Sequence, residues 1–217
     1  MNNFIVVYDK EIKDKGRDSY IKAIKKQIPD AIIADVSEDG VIQDPYKVLF
    51  LNPLDENTAR NAVEFLKRYP RYDIEGVATG RLTITAEAII RVIGPVDKKT
   101  VVIINQSDVL GRPLAKELIE RGANVISLNS SYPCIDNLLT MTDVDVLVSA
   151  SGKYEFKLDR ILTRMIDVKV DLSDDLEDPI KITTVPTVEV LKERLEEWKG
   201  LKKRKRRLQL MSWLMSR

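Results

Sequence analysis

Short apolar runs alternate with amphipathic segments along the whole chain, and this constrains the fold more than any other feature. Residues 4–8 (FIVVY), 31–36 and 47–51 (KVLFL) read as strands. Residues 19–28 and 57–68 read as helices, the second with Ala62, Phe65 and Leu66 on one face at the i, i+3, i+4 spacing. Tyr69-Pro70 stops that helix, because a residue before proline is pushed out of helical geometry. A second series begins near residue 84. Residues 85–93 form a helix ended by Gly94-Pro95, and 100–104 a strand. A helix follows over 112–121, with Pro113 in its first turn and Gly122 at its C-cap. Residues 124–128, 145–150 and 166–172 are further strands, and a last long helix starts near Thr187. Strands that alternate with helices in this way specify an α/β protein built on parallel sheet.

Composition removes several chemistries. The 217 residues include no histidine, so His-based acid/base catalysis, Ser-His-Asp triads and His-ligated metals are excluded. The single cysteine, Cys134, rules out an internal disulfide and a thiolate zinc site, and fits a reducing compartment. No metal is expected. Lys plus Arg (35) nearly balances Asp plus Glu (34), so attraction to nucleic acid or membrane would have to be local. No signal pattern opens the chain and no uncharged apolar run reaches about 18 residues. The expectation is a cytoplasmic protein without a membrane span.

Residues 100–128 have the length of one strand–helix–strand unit, and the loop inside it is Asn105-Gln106-Ser107-Asp108-Val109-Leu110-Gly111-Arg112-Pro113. A helix N-terminus after a strand presents free N–H groups that suit a pyrophosphate, or it is an ordinary βα connection. On spacing alone the two readings are evenly matched, since this loop is not G-x-G-x-x-G. The loop resembles G-R-S-x-x-V-G-x-P, the cofactor loop of the bifunctional methylenetetrahydrofolate dehydrogenase/cyclohydrolase family. Ser107, Gly111 and Pro113 match, and Leu110 stands for the valine. Ser130, the segment 145–152 (DVLVSASG, ending at Gly152) and Val170-Asp171 resemble further motifs in the family's order. The departures are Asn105 for the first glycine, Gln106 for an arginine expected at a 2′-phosphate, and Asn129 for a histidine. No acidic residue after the second strand favours NAD instead, and the family's late glycine-rich loop is reduced to Val185-Pro186-Thr187.

The first eighty residues carry the resemblance further. With a two-residue gap, the segment 18–26 aligns with D-S-x-x-Y-V-x-x-K-x-K, placing Tyr20 on the family's tyrosine, Lys26 on the second lysine and Ile24 on the catalytic lysine. Lys25 is the nearest substitute, although neighbouring helix positions point about 100° apart; the plain alternative for Lys22, Lys25 and Lys26 is a solvated face. The segment 50–55 (FLNPLD) resembles V-Q-L-P-L-D, with Pro53 retained and Leu51 in place of the glutamine that partners the lysine. Asp73 and Glu75 stand where D-V-D-G has its two aspartates, the second of them a pterin contact.

The resemblance implies a two-lobed α/β fold: a small substrate-type lobe over 1–83, a Rossmann-like parallel-sheet NAD(P)-binding lobe over 84–186, and a C-terminal helix with a basic tail over 187–217. It implies substrate contacts at Leu51, Pro53, Asp73 and Glu75, and catalysis at Tyr20 and a relocated Lys25. NADP or NAD would contact Asn105, Gln106, Ser107, Leu110, Gly111, Ser130 and Gly152. It also implies a folate-type ligand and a homodimer. Two functional readings stand. One is a divergent NAD(P)-dependent enzyme of folate one-carbon metabolism; the other is a non-catalytic relative kept for ligand binding or association. The run 202–207 followed by Leu210, Trp213 and Leu214 is either an arm for an anionic partner or a helix end docked on the body.

Overall fold

The computed structural model describes residues 4–38, 46–153, 155–181 and 185–215, and side chains as far as Leu201, residues 15 and 181 excepted. The element order is β1 (Phe4–Tyr8), α1 (Lys15–Gln27), β2 (Ile32–Asp35), β3 (Lys47–Phe50), α2 (Glu56–Arg68) and α3 (Ile84–Ile93). There follow β4 (Thr100–Ile104), α4 (Gly111–Glu120), β5 (Asn124–Leu128), α5 (Ile135–Met141), β6 (Val146–Ser149), α6 (Arg160–Thr163), β7 (Val168–Asp171), β8 (Ile180–Lys181) and α7 (Val185–Met215). Helix starts follow from side-chain caps. Asp14 accepts from the Arg17 amide, so α1 begins at Lys15 rather than at residue 19. Asp55 accepts from the amides of Asn57 and Thr58 and starts α2 at Glu56. Gly122, at φ 86°, follows α4 in the left-handed conformation that glycine adopts without strain.

The strands form two parallel sheets, β2-β1-β3 and β5-β4-β6-β7-β8. In the first, Val6 pairs with Ile33 and Leu49; in the second, Ile103 pairs with Ser127 and Val148. Residues 101–104 of β4 and all of β6 are fully buried, as strands covered on both faces must be. Helix α3 joins the lobes. Its residues Ile84, Ala86, Ala88, Ile89, Ile90 and Ile93 are buried on nearly every side, which suits a helix inside the molecule rather than on it. One apolar cluster runs from Phe4, Val6 and Leu49 through Ile89 to Val101, Ile103 and Val148.

Helix α7 returns over α3 and α1. Val188, Leu191 and Leu195 enter the core, and ion pairs bind its polar side: Arg91 to Glu193 at 2.8 Å and Arg81 to Glu197 at 2.8 Å. Three short elements, α5, α6 and β8, have no counterpart in the sequence reading. With seven, four and two residues, they are too short to show a period. The helix expected over the basic run continues to Met215, but the side chains of residues 202–217 lie outside the description, and with them the choice between arm and docked end. Among the described residues, no helix is long and apolar enough to cross a membrane.

Candidate functional site

Helix α1 presents Tyr20 and Ile24 to the junction of the lobes. Ile24 has no exposed surface and packs in the apolar cluster that also holds Leu51, Ile74 and Ile84. Lys22 and Lys25 face solvent, on the side of α1 opposite the buried Ile24 and Ile28. The position aligned with the family's lysine is therefore core, and Lys25 lies outside the junction. Leu51, one residue beyond β3, is buried in the same cluster, while Pro53 is half-buried in the following turn. Both members of the aligned Lys–Gln pair are thus hydrocarbon in contact with hydrocarbon.

Polar groups gather beside this patch, on the loop from Asp73 to Thr83. Asp73 is buried, and its two carboxylate oxygens accept from the amides of Gly76 and Ala78 at 2.8 Å each. It holds the turn in which Gly76 has φ 100°, where a Cβ would fall 2.5 Å from the Arg81 carbonyl. Glu75 accepts from the Ile84 amide at 3.0 Å and so caps α3. Its carboxyl is desolvated, which pushes its pKa up to about 7 against the opposing pull of Arg194. The Tyr20 hydroxyl is raised well above its ordinary value, by burial first and by the neighbouring Glu75 charge second.

Arg194 of α7 completes the arrangement. It is 2% exposed, and its guanidinium donates to the carbonyls of Ile74, Glu75 and Leu82 and to the carboxylate of Glu87. The Tyr20 hydroxyl, the Thr83 hydroxyl and Arg194 Nε are buried without a hydrogen-bond partner among the described residues. Sequence reasoning missed Arg194 and Thr83. A signal for Arg194 did exist: it lies on the stripe of Leu191 and Leu195 at the i, i+3, i+4 spacing, where an unpaired charge is costly.

The loop between β4 and α4 is closed on itself. The Asn105 carboxamide oxygen accepts from the Ser107 amide (2.9 Å), the Ser107 hydroxyl (2.8 Å) and the Gly111 amide (2.9 Å). Its amide nitrogen donates to the Ala150 carbonyl at 2.7 Å. The Leu110 amide donates to the Ser107 hydroxyl and the Arg112 amide to the Ser107 carbonyl. Gln106 donates to the Ser127 carbonyl at 2.9 Å, and the Gly152 amide to the Ser173 hydroxyl at 3.0 Å. Ser130 is half-buried after β5. A diphosphate needs several of these amides free, so the residues present do not fit a dinucleotide.

Between the 76–83 loop and α4 lies a cavity of about 270 Å³, lined by Arg81, Thr83, Asp108, Lys116 and Glu117 among others. A second, of about 370 Å³, opens on the far face of the first sheet against α2, away from Tyr20. Among the described residues, no three His, Cys, Asp or Glu side chains come together as a metal site.

Comparison with known proteins bears on this geometry. Residues 79–176 match the family described as tetrahydrofolate dehydrogenase/cyclohydrolase, NAD(P)-binding domain. The chain is 31% identical over 142 residues to the bifunctional protein FolD of Dictyoglomus turgidum, covering 58% of this chain and 48% of that protein. It is 30% identical over 118 residues to FolD of Thermosipho africanus, covering 47% and 43%. The chain thus spans about half the length of the curated relatives it matches. The fold is similar to the NAD-dependent 5,10-methylenetetrahydrofolate dehydrogenase of Saccharomyces cerevisiae, with TM-score 0.67, 16% identity and coverage of 93% and 89%. It is also similar to the Trypanosoma brucei dehydrogenase-cyclohydrolase complexed with NADP and inhibitor, with TM-score 0.64, 16% identity and coverage of 91% and 86%.

Proposed function

The chain is a divergent relative of the methylenetetrahydrofolate dehydrogenase/cyclohydrolase family, and from that premise we propose that it is a non-catalytic member for folate oxidation and hydrolysis. The observation that carries this reading is Ile24, without exposed surface in the apolar cluster that contains Leu51. Hydrating the methenyl product and opening its ring move protons, which needs a group that gains and loses one near neutral pH, while the preceding oxidation transfers a hydride from a substrate that the same polar pair would orient. The aligned position supplies a hydrocarbon, and its aligned partner does the same. Replacing such a pair together is the route that leaves neither group buried and unpaired. The division into lobes at residues 83 and 84, a homodimeric state and a cytoplasmic setting are parts of the same proposal, drawn from the family.

The test is turnover of 5,10-methylenetetrahydrofolate with NADP and with NAD, at high protein concentration beside an active family member. A flat trace beside a working control supports the reading, and clear turnover overturns it.

A second reading keeps the junction as a binding site for a folate-type ligand. The Tyr20 hydroxyl, buried beside a carboxyl that titrates near neutrality and without a partner among the described residues, favours it. Titration calorimetry with tetrahydrofolate, repeated with Tyr20→Phe, separates the two. Saturable heat that weakens in the variant supports a retained ligand, whereas no heat leaves the junction a packed joint.

A further inference from the structure

We infer that this chain binds neither NAD nor NADP at its β4–α4 loop, because the Asn105 side chain has taken the hydrogen bonds that a diphosphate would require. An anion at a helix N-terminus is held by backbone amides that have no intrahelical partner. Here the donors that converge at that place, the amides of Ser107 and Gly111 and the Ser107 hydroxyl, meet at a single oxygen, 2.8–2.9 Å away. That oxygen belongs to Asn105, whose own amide nitrogen is anchored on the Ala150 carbonyl at the end of β6. The carboxamide is therefore fixed at both ends, between β6 and the start of α4.

The backbone has closed down to match. A Cβ at Gly111 would lie 1.9 Å from the Asn105 carbonyl oxygen and 2.7 Å from its carboxamide oxygen, so the first residue of α4 is packed directly against Asn105. An incoming diphosphate would have to displace the carboxamide and leave it without partners, a loss that its own new bonds would do little more than repay. The arrangement is neutral, so it also forgoes the negative charge that the helix dipole favours. This inference does not rest on the loss of folate chemistry, since a dinucleotide can bind without turnover and turnover can be lost with the dinucleotide still bound.

The experiment titrates NADH and NADPH into the full chain and into Asn105→Gly, following nucleotide fluorescence, with folding of the variant checked by its thermal melt. The wild-type chain is expected to give no saturable signal up to millimolar nucleotide. Asn105→Gly, which frees the three donors, is expected to bind at least one nucleotide about tenfold tighter or better. Saturable micromolar binding by the wild-type chain overturns the inference, and so does a folded Asn105→Gly that gains nothing. Should that variant not fold, amide hydrogen exchange in the wild-type chain decides. The Ser107 and Gly111 amides are expected to be protected without any ligand, and rapid exchange at both refutes the closed loop.

Discussion

Replacing Ile24 by lysine restores in one step the residue that the family carries at this position, and it tests whether the junction is a catalytic cleft or a packed core. Ile24 has no exposed surface, and its neighbours in the cluster include Leu51, Ile74 and Ile84. A lysine there must be accommodated neutral, because an ammonium in such surroundings has no solvent, and the buried Glu75 carboxyl beside Tyr20 already faces Arg194. Holding it neutral at pH 7 against a solution pKa of about 10.4 costs about 4.6 kcal/mol, at about 1.36 kcal/mol per pH unit. That is comparable with the whole stability of a typical domain, about 5–15 kcal/mol.

The pH dependence gives the reasoning its sharpest check. The folded-state pKa of the lysine lies below its unfolded value, so the unfolded chain binds the extra proton. The destabilisation is then largest at low pH and shrinks as pH rises towards about 10.4. Urea unfolding followed by tryptophan fluorescence should find Ile24→Lys weaker than wild type by about 4–5 kcal/mol at pH 7. At about pH 9 the difference should be about 2 kcal/mol. Cyclohydrolase activity should not appear. A loss below about 1 kcal/mol that does not change with pH, together with a gain of activity, would show that the lysine found a wet and functional cleft and would refute the account.

Three further outcomes follow from the same structure. Arg194→Ala should destabilise by about 3–5 kcal/mol in urea unfolding, because it strands three carbonyls and removes a buried guanidinium from Glu87; Arg194→Lys should recover little of this, as an ammonium cannot fork to the same acceptors. Glu75 has a folded pKa raised to about 7, so between about pH 4.5 and 7 the native state holds a proton that the unfolded state has lost. Stability from this group therefore falls as pH rises through that window, and Glu75→Gln should remove the fall, gaining on the order of 3 kcal/mol over wild type at pH 8 but nothing at pH 4. Parallel stability curves for the two proteins would contradict this. Gly111→Ala drives a Cβ to 1.9 Å from the Asn105 carbonyl and should cost more than about 2 kcal/mol, read as a lowered thermal midpoint.

What the sequence determined by itself is local. Strands at 4–8, 100–104 and 124–128 and the helix ending at residue 68 were legible because their signals, apolar runs, a 3.6-residue period and a proline stop, lie within a dozen residues. The replacements at residues 24 and 51 were equally plain, since an isoleucine and a leucine cannot exchange protons in any environment. The tertiary structure decided how the polar groups are used. Asn105 read only as a departure from the family's first glycine; the folded loop turns its carboxamide onto Gly111, six residues ahead, and onto Ala150, far along the chain. Asp73 and Glu75 read as a ligand-facing acidic pair; the fold commits Asp73 to two amides of its own turn and sets Arg194, more than a hundred residues away, over the carbonyl of Glu75. Backbone periodicity is fixed by neighbours in sequence, whereas desolvation and hydrogen-bond partnership depend on groups that meet only once the two sheets and α7 have packed around α3.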